Sequence, residues 1–281
     1  MVRISIVIPT VDRSDLLYNL LRHLEHQSDA PHEIVIVDQS AREDARVAGR
    51  DGVRYRRIAE RGLPNARNVG VALATGDAVL FLDDDEIPDR DLIRFHREAY
   101  SDPLVSGVGG RVVGGYDAAR PGVGEFRPVD GKVVRNFGSE TRRDVEHLPG
   151  GNMSFRREVF EKVGGFDTAF GGAAIGEETD FCLRARRAGF RLVFEPRASV
   201  EHLHWPVGGC REPRFEEWLY WHAHNSMLFA LRHARAVGWP LFVLKRVLRI
   251  GLFAVEHGSP ALVSVGLRGL VRGMATHAQG S

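Results

Sequence analysis

Three short runs of nearly continuous apolar residues constrain this chain more than anything else in it. Arg3-Ile-Ser-Ile-Val-Ile-Pro9, Glu33-Ile-Val-Ile-Val-Asp38 and Ala78-Val-Leu-Phe-Leu82 do not alternate apolar with polar. Strands of that kind are buried on both faces. Helical patterns lie between them. Ser14 precedes Leu16, Leu17, Leu20, Leu21 and Leu24, and a second helix is predicted over 64–74, with Pro64 in the first turn where a missing N–H costs nothing. Val53–Ile58 offers a further strand. The alternation predicts an α/β fold, a Rossmann-like, mostly parallel sheet with helices on both faces. Ligands of such sheets bind beyond the carboxyl ends of the strands. Asp38 and Asp83-Asp84-Asp85 stand at two such ends, so two distant acidic sites are expected to face one crevice.

Charge and cysteine content narrow the class. With 38 Lys+Arg against 37 Asp+Glu, the 281-residue chain lacks the basic excess of a nucleic-acid binder. Its 43% hydrophobic content suits one large domain, or a domain with an appendage, rather than a disordered chain. Cys182 and Cys210 cannot form a disulfide framework or a four-thiolate zinc site, which makes a reducing cytosolic setting the default. No run reaches the ~18 apolar residues of a membrane span. Ile4–Pro9 is too short for a signal peptide, so the chain is expected to stay on the side where it is made. The near-balance conceals an asymmetry. From Arg232 to Ser281 seven basic residues face the single acid Glu256, a surplus of +6 that leaves residues 1–231 at −5.

Several motifs can carry chemistry, each with a plainer alternative. Three adjacent carboxylates repel one another unless a cation sits among them. Asp83-Asp84-Asp85 is therefore a candidate site for a hard divalent ion on a diphosphate, or else an acidic turn leading into a helix. Arg67, after the Gly62 turn, suits bidentate phosphate contact, though it also reads as a surface arginine. Glu177-Glu178-Thr179-Asp180 opens a predicted helix. Thr179 or Asp180 can cap it, while a glutamate there can act as general base toward an acceptor hydroxyl. Gly150-Gly151-Asn152 reads as a loop whose backbone can approach a ligand. His202 or His204 can complete a metal site begun by distant carboxylates. A strand is expected at 107–113, a loop around 115–131, a helix over 156–163, and helices from about 212 onward.

Taken in order, Ser5-Ile-Val-Ile-Pro-Thr10, Ile36-Val-Asp38-Gln-Ser40, Gly62-Leu-Pro-Asn-Ala-Arg-Asn-Val-Gly70, Phe81-Leu-Asp-Asp-Asp85, Gly150-Gly-Asn-Met-Ser154, Gly164-Gly-Phe-Asp167, Gly176-Glu-Glu-Thr-Asp-Phe-Cys-Leu-Arg184 and Glu195-Pro through His202 resemble the family-2 glycosyltransferases across residues 3–205. The resemblance implies a GT-A fold, a nucleotide-diphosphate sugar donor, Mn²⁺ or Mg²⁺, and inversion at the anomeric carbon. It implies a catalytic domain at 1–211, with a nucleotide-sugar half to about 100 and an acceptor half beyond it, followed by a helical basic extension at 212–281. By position it places Pro9, Thr10, Asp38 and Arg67 around the nucleotide, Asp84 at the ribose with Asp83 supporting, and Asp85 and His202 on the metal. Glu178 aligns with the base, one methylene longer than the family's usual aspartate, with Glu177 and Asp180 as alternates. Gly150, Gly151 and Asn152 would form a donor or acceptor loop.

In the tail, Leu241, Leu244, Leu248 and Leu252 recur at helical spacing opposite Lys245, Arg246 and Arg249. Such a helix either lies on an anionic membrane surface, giving a peripheral contact through 240–273 at the cytoplasmic face, or packs its stripe on the catalytic domain. The membrane reading suits a lipid-linked glycan acceptor; a glycan or small-molecule acceptor is equally compatible, as is a homo-oligomer. Phe215, Trp218, Tyr220 and Trp221 offer an acceptor platform or core packing. Two rival functions remain. A nucleotidyltransferase would carry a glycine- and lysine-rich loop after the first strand, where Pro9-Thr-Val-Asp-Arg13 stands instead. A non-catalytic sugar-nucleotide or glycan-binding module would retain the fold without using the glutamate pair.

Overall fold

In a computed structural model, residues 1–114 and 122–280 of the protein are described. The first half alternates as the apolar runs predict. It comprises β1 (Ile4–Thr10), α1 (Ser14–Leu24), β2 (Glu33–Asp38), α2 (Ala45–Ala48), β3 (Val53–Arg57), α3 (Leu63–Leu73), β4 (Ala78–Leu82), β5 (Glu86–Pro88) and α4 (Leu92–Ala99). The second half is strand-rich, with β6 (Val105–Val113), β7 (Glu125–Arg127), β8 (Lys132–Val134), β9 (Arg143–Val145), β10 (Asn152–Arg156), α5 (Arg157–Val163), α6 (Glu177–Arg187) and β11 (Arg191–His202). Three helices end the chain: α7 (Phe215–His233), α8 (Trp239–Glu256) and α9 (Ala261–Gly280).

The central sheet runs β3-β2-β1-β4-β10-β6-β11-β5, and β9 also pairs with β11. Strands β3, β2, β1 and β4 are mutually parallel, and β11 runs parallel to β6. Every residue of β1 and β4 is buried, as expected of strands covered on both faces. Parallel register sets Thr10 beside Asp38, so the carboxyl ends of β1 and β2 share one edge. The acid triplet leaves β4 at that same edge.

Two placements differ from the sequence expectation. Asn152 does not lie on a loop; it opens β10, which enters the sheet antiparallel between β4 and β6. Its amide donates to the carbonyls of Arg111 and Ala198, and its Oδ1 accepts from His96 Nε2. It is thus a buried spacer in the sheet. The loop expected at 115–131 lies partly outside the described residues, and its described end forms a β7–β8 hairpin.

The buried network around Asn152 carries a pH prediction. His96 bonds Ser154 Oγ through Nδ1, Ser154 bonds Tyr100, and burial pushes the His96 imidazole down to about 4. Burial, helped by the charge of Arg135, does the same to His147. An unfolded chain protonates both near pH 6.5. Stability is therefore full above that value and falls as the pH drops toward about 4, by roughly 3 kcal/mol per imidazole. The urea midpoint of His96→Gln should change less between pH 7 and pH 5 than that of the parent. An unchanged difference would refute the assignment.

The terminal helices form a second core from Leu219, Ala223, Met227, Phe242, Ile250, Leu262 and Leu270, among others. α9 approaches α7 closely because Gly269 and Gly273 lie against its backbone: a Cβ on either would meet the Tyr220 or His224 carbonyl at 2.4 and 2.5 Å. α7 is also joined to the sheet-bearing body. Leu228 and Phe229 share a cluster with Phe126, Phe170 and Leu183, and Asp180 bonds both Arg184 and His233. Neither Thr179 nor Asp180 caps α6, whose first turn has no side-chain cap. The stripe Leu241, Leu244, Leu248, Leu252 does not pack on the sheet-bearing body; each of these leucines is at least 50% exposed. Among the described residues, no helix is long and apolar enough to cross a membrane.

Candidate active site

A cavity of about 750 Å³ opens at the shared strand edge, lined by Pro9, Thr10, Arg13, the three aspartates, His202 and the 206–213 segment. Each aspartate has a different environment. Asp84 is buried, accepting from Thr10 Oγ1 (2.7 Å) and Arg13 Nη1 (2.9 Å); burial nevertheless raises its carboxyl to about 6. Asp85 turns Oδ1 toward His202 Nε2 (3.3 Å), while its Oδ2 takes the Trp205 N–H (3.0 Å). Asp83 is the most exposed, with His202 Nε2 4.0 Å away. Asp38 sits where expected, at the end of β2. Its oxygens are engaged by the Ser40 N–H and the Tyr55 hydroxyl, and burial and the Asp38 charge together push the Tyr55 phenol upward.

The sheet adds an acid that sequence reasoning did not single out. Antiparallel pairing of β5 with β11 sets Glu86 opposite His202. Asp83, Glu86 and His202 each present a ligand atom, all within 4.8 Å of one another. Glu86 Oε1 is buried without a hydrogen-bond partner, and burial together with Asp83 and Asp85 drives its carboxyl well above the usual range. A buried acid among acids, with an orphaned oxygen, is a donor set for a hard divalent cation completed by one imidazole. His202 is itself raised: burial opposes protonation, but Asp85 and Asp83 outweigh it. Its Nδ1 lies 2.8 Å from that of His204, which is lowered by burial and by His202. The available signal for Glu86 was its place directly after the triplet. Arg13, the cation across from Asp84 and Asp85, was visible only as a loop residue after β1.

The second acidic site reaches this cleft through Arg67. That arginine is 2% exposed, so it is not a surface residue, and its guanidinium is already committed within the protein. Nη1 pairs with Glu177, Nη2 donates to the Gly150 carbonyl (3.0 Å), and Asp83 Oδ1 lies 3.6 Å away. One buried cation thus ties the start of α6, the 150–151 turn and the acid triplet together. Gly151 is required at that junction, where a Cβ would meet Glu86 Oε1 at 2.3 Å and Asp83 Oδ2 at 2.7 Å. α6 is seated by Phe181, which stacks on Phe166 (4.5 Å) and Phe160 (5.1 Å).

The two glutamates then separate by environment. Glu177 is 1% exposed and paired with Arg67, whereas Glu178 is 16% exposed and its nearest cation, Arg135, is 3.7 Å away. Glu178, which accepts from Thr179 Oγ1 at 3.3 Å, is the less committed of the two. Asp180, wholly buried between Arg184 and His233, serves the α6–α7 contact instead.

Comparison with known proteins agrees with this architecture. The family model for "Glycosyl transferase family 2" matches residues 5–164, and one for "N-terminal domain of galactosyltransferase" matches 134–204. A glucosyl-dolichyl phosphate glucuronosyltransferase from Haloferax volcanii is 32% identical over 219 residues, 71% of this chain and 69% of the relative. A pre-mycofactocin glycosyltransferase from Mycobacterium tuberculosis is 32% identical over 147 residues, 51% of this chain but 30% of that protein. Among solved structures, the mannosyltransferase PcManGT from Pyrobaculum calidifontis, in complex with GDP-Man and Mn²⁺, superposes with a TM-score of 0.58 at 17% identity, covering 100% of this chain and 88% of that one. GalNAc-T7 with UDP, GalNAc and Mn²⁺ gives the same score and identity, covering 92% and 59%. The sheet order, the acid triplet at its edge and the matched sequence model converge: the chain belongs to glycosyl transferase family 2 and is a glycosyltransferase of GT-A fold.

Proposed function

We propose that the protein transfers a sugar from a nucleoside-diphosphate sugar to an acceptor hydroxyl with inversion, using Mn²⁺ or Mg²⁺. The observation that carries this reading is the Arg67 junction, which ties the Glu177-Glu178 start of α6 to the Gly150 turn and to Asp83 of the carboxylate–imidazole cluster at one edge of the sheet. Pro9, Thr10 and Gln39 line the nucleotide end of the cleft, with Asp38 behind them beside Thr10 in the sheet, and Asp84, held by Thr10 and Arg13, lines the same wall. Asp83, Glu86 and His202, with Asp85, would hold the divalent ion. When bound, that ion supplies charge neutralisation to the departing diphosphate.

Glu178 accepts the acceptor's hydroxyl proton as its oxygen attacks the anomeric carbon. The new carbon–oxygen bond forms on the face opposite the breaking bond to the diphosphate, so the configuration inverts. Arg67 holds the Glu177 carboxylate of α6 and the Gly150 carbonyl, which keeps Glu178 and the acids in mutual register. Support for the donor class comes from the structural neighbours in complex with GDP-Man or UDP, and from the glycosyltransferase relatives. The exposed apolar face of α8 beside Lys245 and Arg249 supports a peripheral contact with the anionic cytoplasmic face of a membrane.

A melting-temperature panel tests this. UDP-, GDP- and dTDP-sugars are added with and without Mn²⁺ to the parent protein, Asp85→Asn and Glu86→Gln. Stabilisation by one nucleotide class that needs Mn²⁺ and is lost in both variants is expected. Metal-independent stabilisation that survives in Glu86→Gln would contradict the cluster.

A further inference from the structure

A second cavity, of about 400 Å³, lies between the β7–β8 hairpin, the start of α6, and helices α7 and α8. Ile175 lines both it and the donor cleft, and Arg135 on its wall is the cation nearest Glu178. The stacked pair Trp218 and His222, at 4.8 Å, reaches one cavity with each ring. Gly176 and Thr179, which flank the glutamate pair, also line the second cavity, so Glu178 and its neighbour Arg135 stand at the wall of this chamber.

The charge of this second chamber is unbalanced. Lys132, Arg135, Lys245 and Arg246 line it against one acid, Asp130, which is already bonded by Arg127 (2.6 Å). Arg246 is half-buried. Its guanidinium donates to His222 Nε2 (3.1 Å) and lies 5.1 Å from the Phe242 ring centre. Among the described residues no carboxylate stands within salt-bridge distance of it, and burial lowers its affinity for its own proton with nothing acidic to offset the loss. Because Nε2 accepts from Arg246, His222 must carry its proton on Nδ1, and that N–H is buried without a partner. Burying an uncompensated cation destabilises a fold unless something anionic completes it. The same helix that supplies Phe242, Lys245 and Arg246 exposes Leu241, Leu244 and Leu248. Cations inside and an apolar surface outside match an amphiphile with a phosphate head.

We propose that this cavity binds the phosphate group of an acceptor built on an apolar chain, setting the acceptor's hydroxyl against Glu178. The inference rests on the glycosyl-transfer reading above and names the substrate class of that site. The cavity holds the phosphate through Arg246 and Lys245, Arg135 bridges from it toward the base, and the apolar chain leaves along the leucines of α8.

The test uses the full chain in EDTA, so that phosphate is not recruited by a divalent ion at the acids. Citronellyl phosphate, inorganic phosphate, and vesicles of phosphatidylcholine with or without phosphatidylglycerol are titrated against the parent, Arg246→Gln and Lys245→Gln. Citronellyl phosphate should bind the parent more tightly than inorganic phosphate does, and about tenfold more weakly to Arg246→Gln. Lys245→Gln, an exposed position, should weaken it several-fold without affecting folding. Arg246→Gln should melt close to the parent, since a half-buried cation without a carboxylate partner is lost along with its contacts to His222 and Phe242, and should bind vesicles as the parent does. Equal citronellyl phosphate affinity in all three proteins would overturn the proposal. An Arg246 effect confined to phosphatidylglycerol vesicles would also overturn it, making the cavity a headgroup site. Nucleotide-sugar stabilisation with Mn²⁺, measured on the same three proteins after removal of EDTA, reports separately on the glycosyl-transfer reading.

Discussion

Glu178→Gln is expected to lower kcat for glycosyl transfer by about 10²–10⁴-fold while leaving the melting temperature and the donor KM near parental values. The amide keeps the shape of the side chain and its place near Arg135, but it cannot take the acceptor's proton. The structural cost is small because Glu178 is partly exposed and its nearest cation is 3.7 Å away. Single-turnover transfer, run alongside donor binding by stabilisation, separates the two effects. Retained turnover in Glu178→Gln would remove this residue from the chemistry and return the non-catalytic binding module as the better reading.

The adjacent glutamate should respond in the opposite way. Glu177→Gln leaves Arg67 buried with its main carboxylate partner removed, and breaking a buried pair on one side costs about 3–5 kcal/mol. For a chain of this size that corresponds to a fall in melting temperature of roughly 10 °C. Arg67→Met should be as damaging, since it strands Glu177 beside Asp83 and frees the Gly150 carbonyl. The double variant Arg67→Met/Glu177→Met removes both charges together and should recover a large part of the loss, a coupling readable from a double-mutant cycle. Additive losses in the double variant would show that the pair is not the unit it is taken to be. The contrast expected between positions 177 and 178 would separate the proposed base from a buried strut one residue away.

Much of the site is legible before folding is considered. The strand ends that carry Asp38 and the acid triplet follow from apolar runs too continuous to be exposed on either face. Glu177-Glu178 opens a helix, as its acids and the downstream Arg184, Arg186 and Arg187 indicate. Other roles were hidden for identifiable reasons. Asn152 follows two glycines and reads as loop, yet antiparallel pairing with β4 and β6 draws it into the sheet. Arg67 reads as an exposed helical arginine, because nothing local announces the distant glutamate that pairs with it. The leucines of α8 could equally have faced the body or the solvent; the helix instead buries Phe242, Ile250 and Ala254 in the second core and leaves the leucines outside.

The sequence by itself determined the alternating α/β architecture, the edge at which the acids gather, and the family to which the chain belongs. These depend on local periodicity and on ordered motifs, which need no long-range contact to be recognised. Only the tertiary structure decided which glutamate is paired and which is partly exposed, which carboxylates converge with His202, and that an unbalanced cationic cavity lies beside Glu178. Each of those outcomes turns on a pairing between residues far apart in the chain: Arg67 with Glu177, β5 with β11, and α8 with the hairpin. A one-residue change of strand register or helix rotation would reverse the burial, and so the role, of every side chain involved.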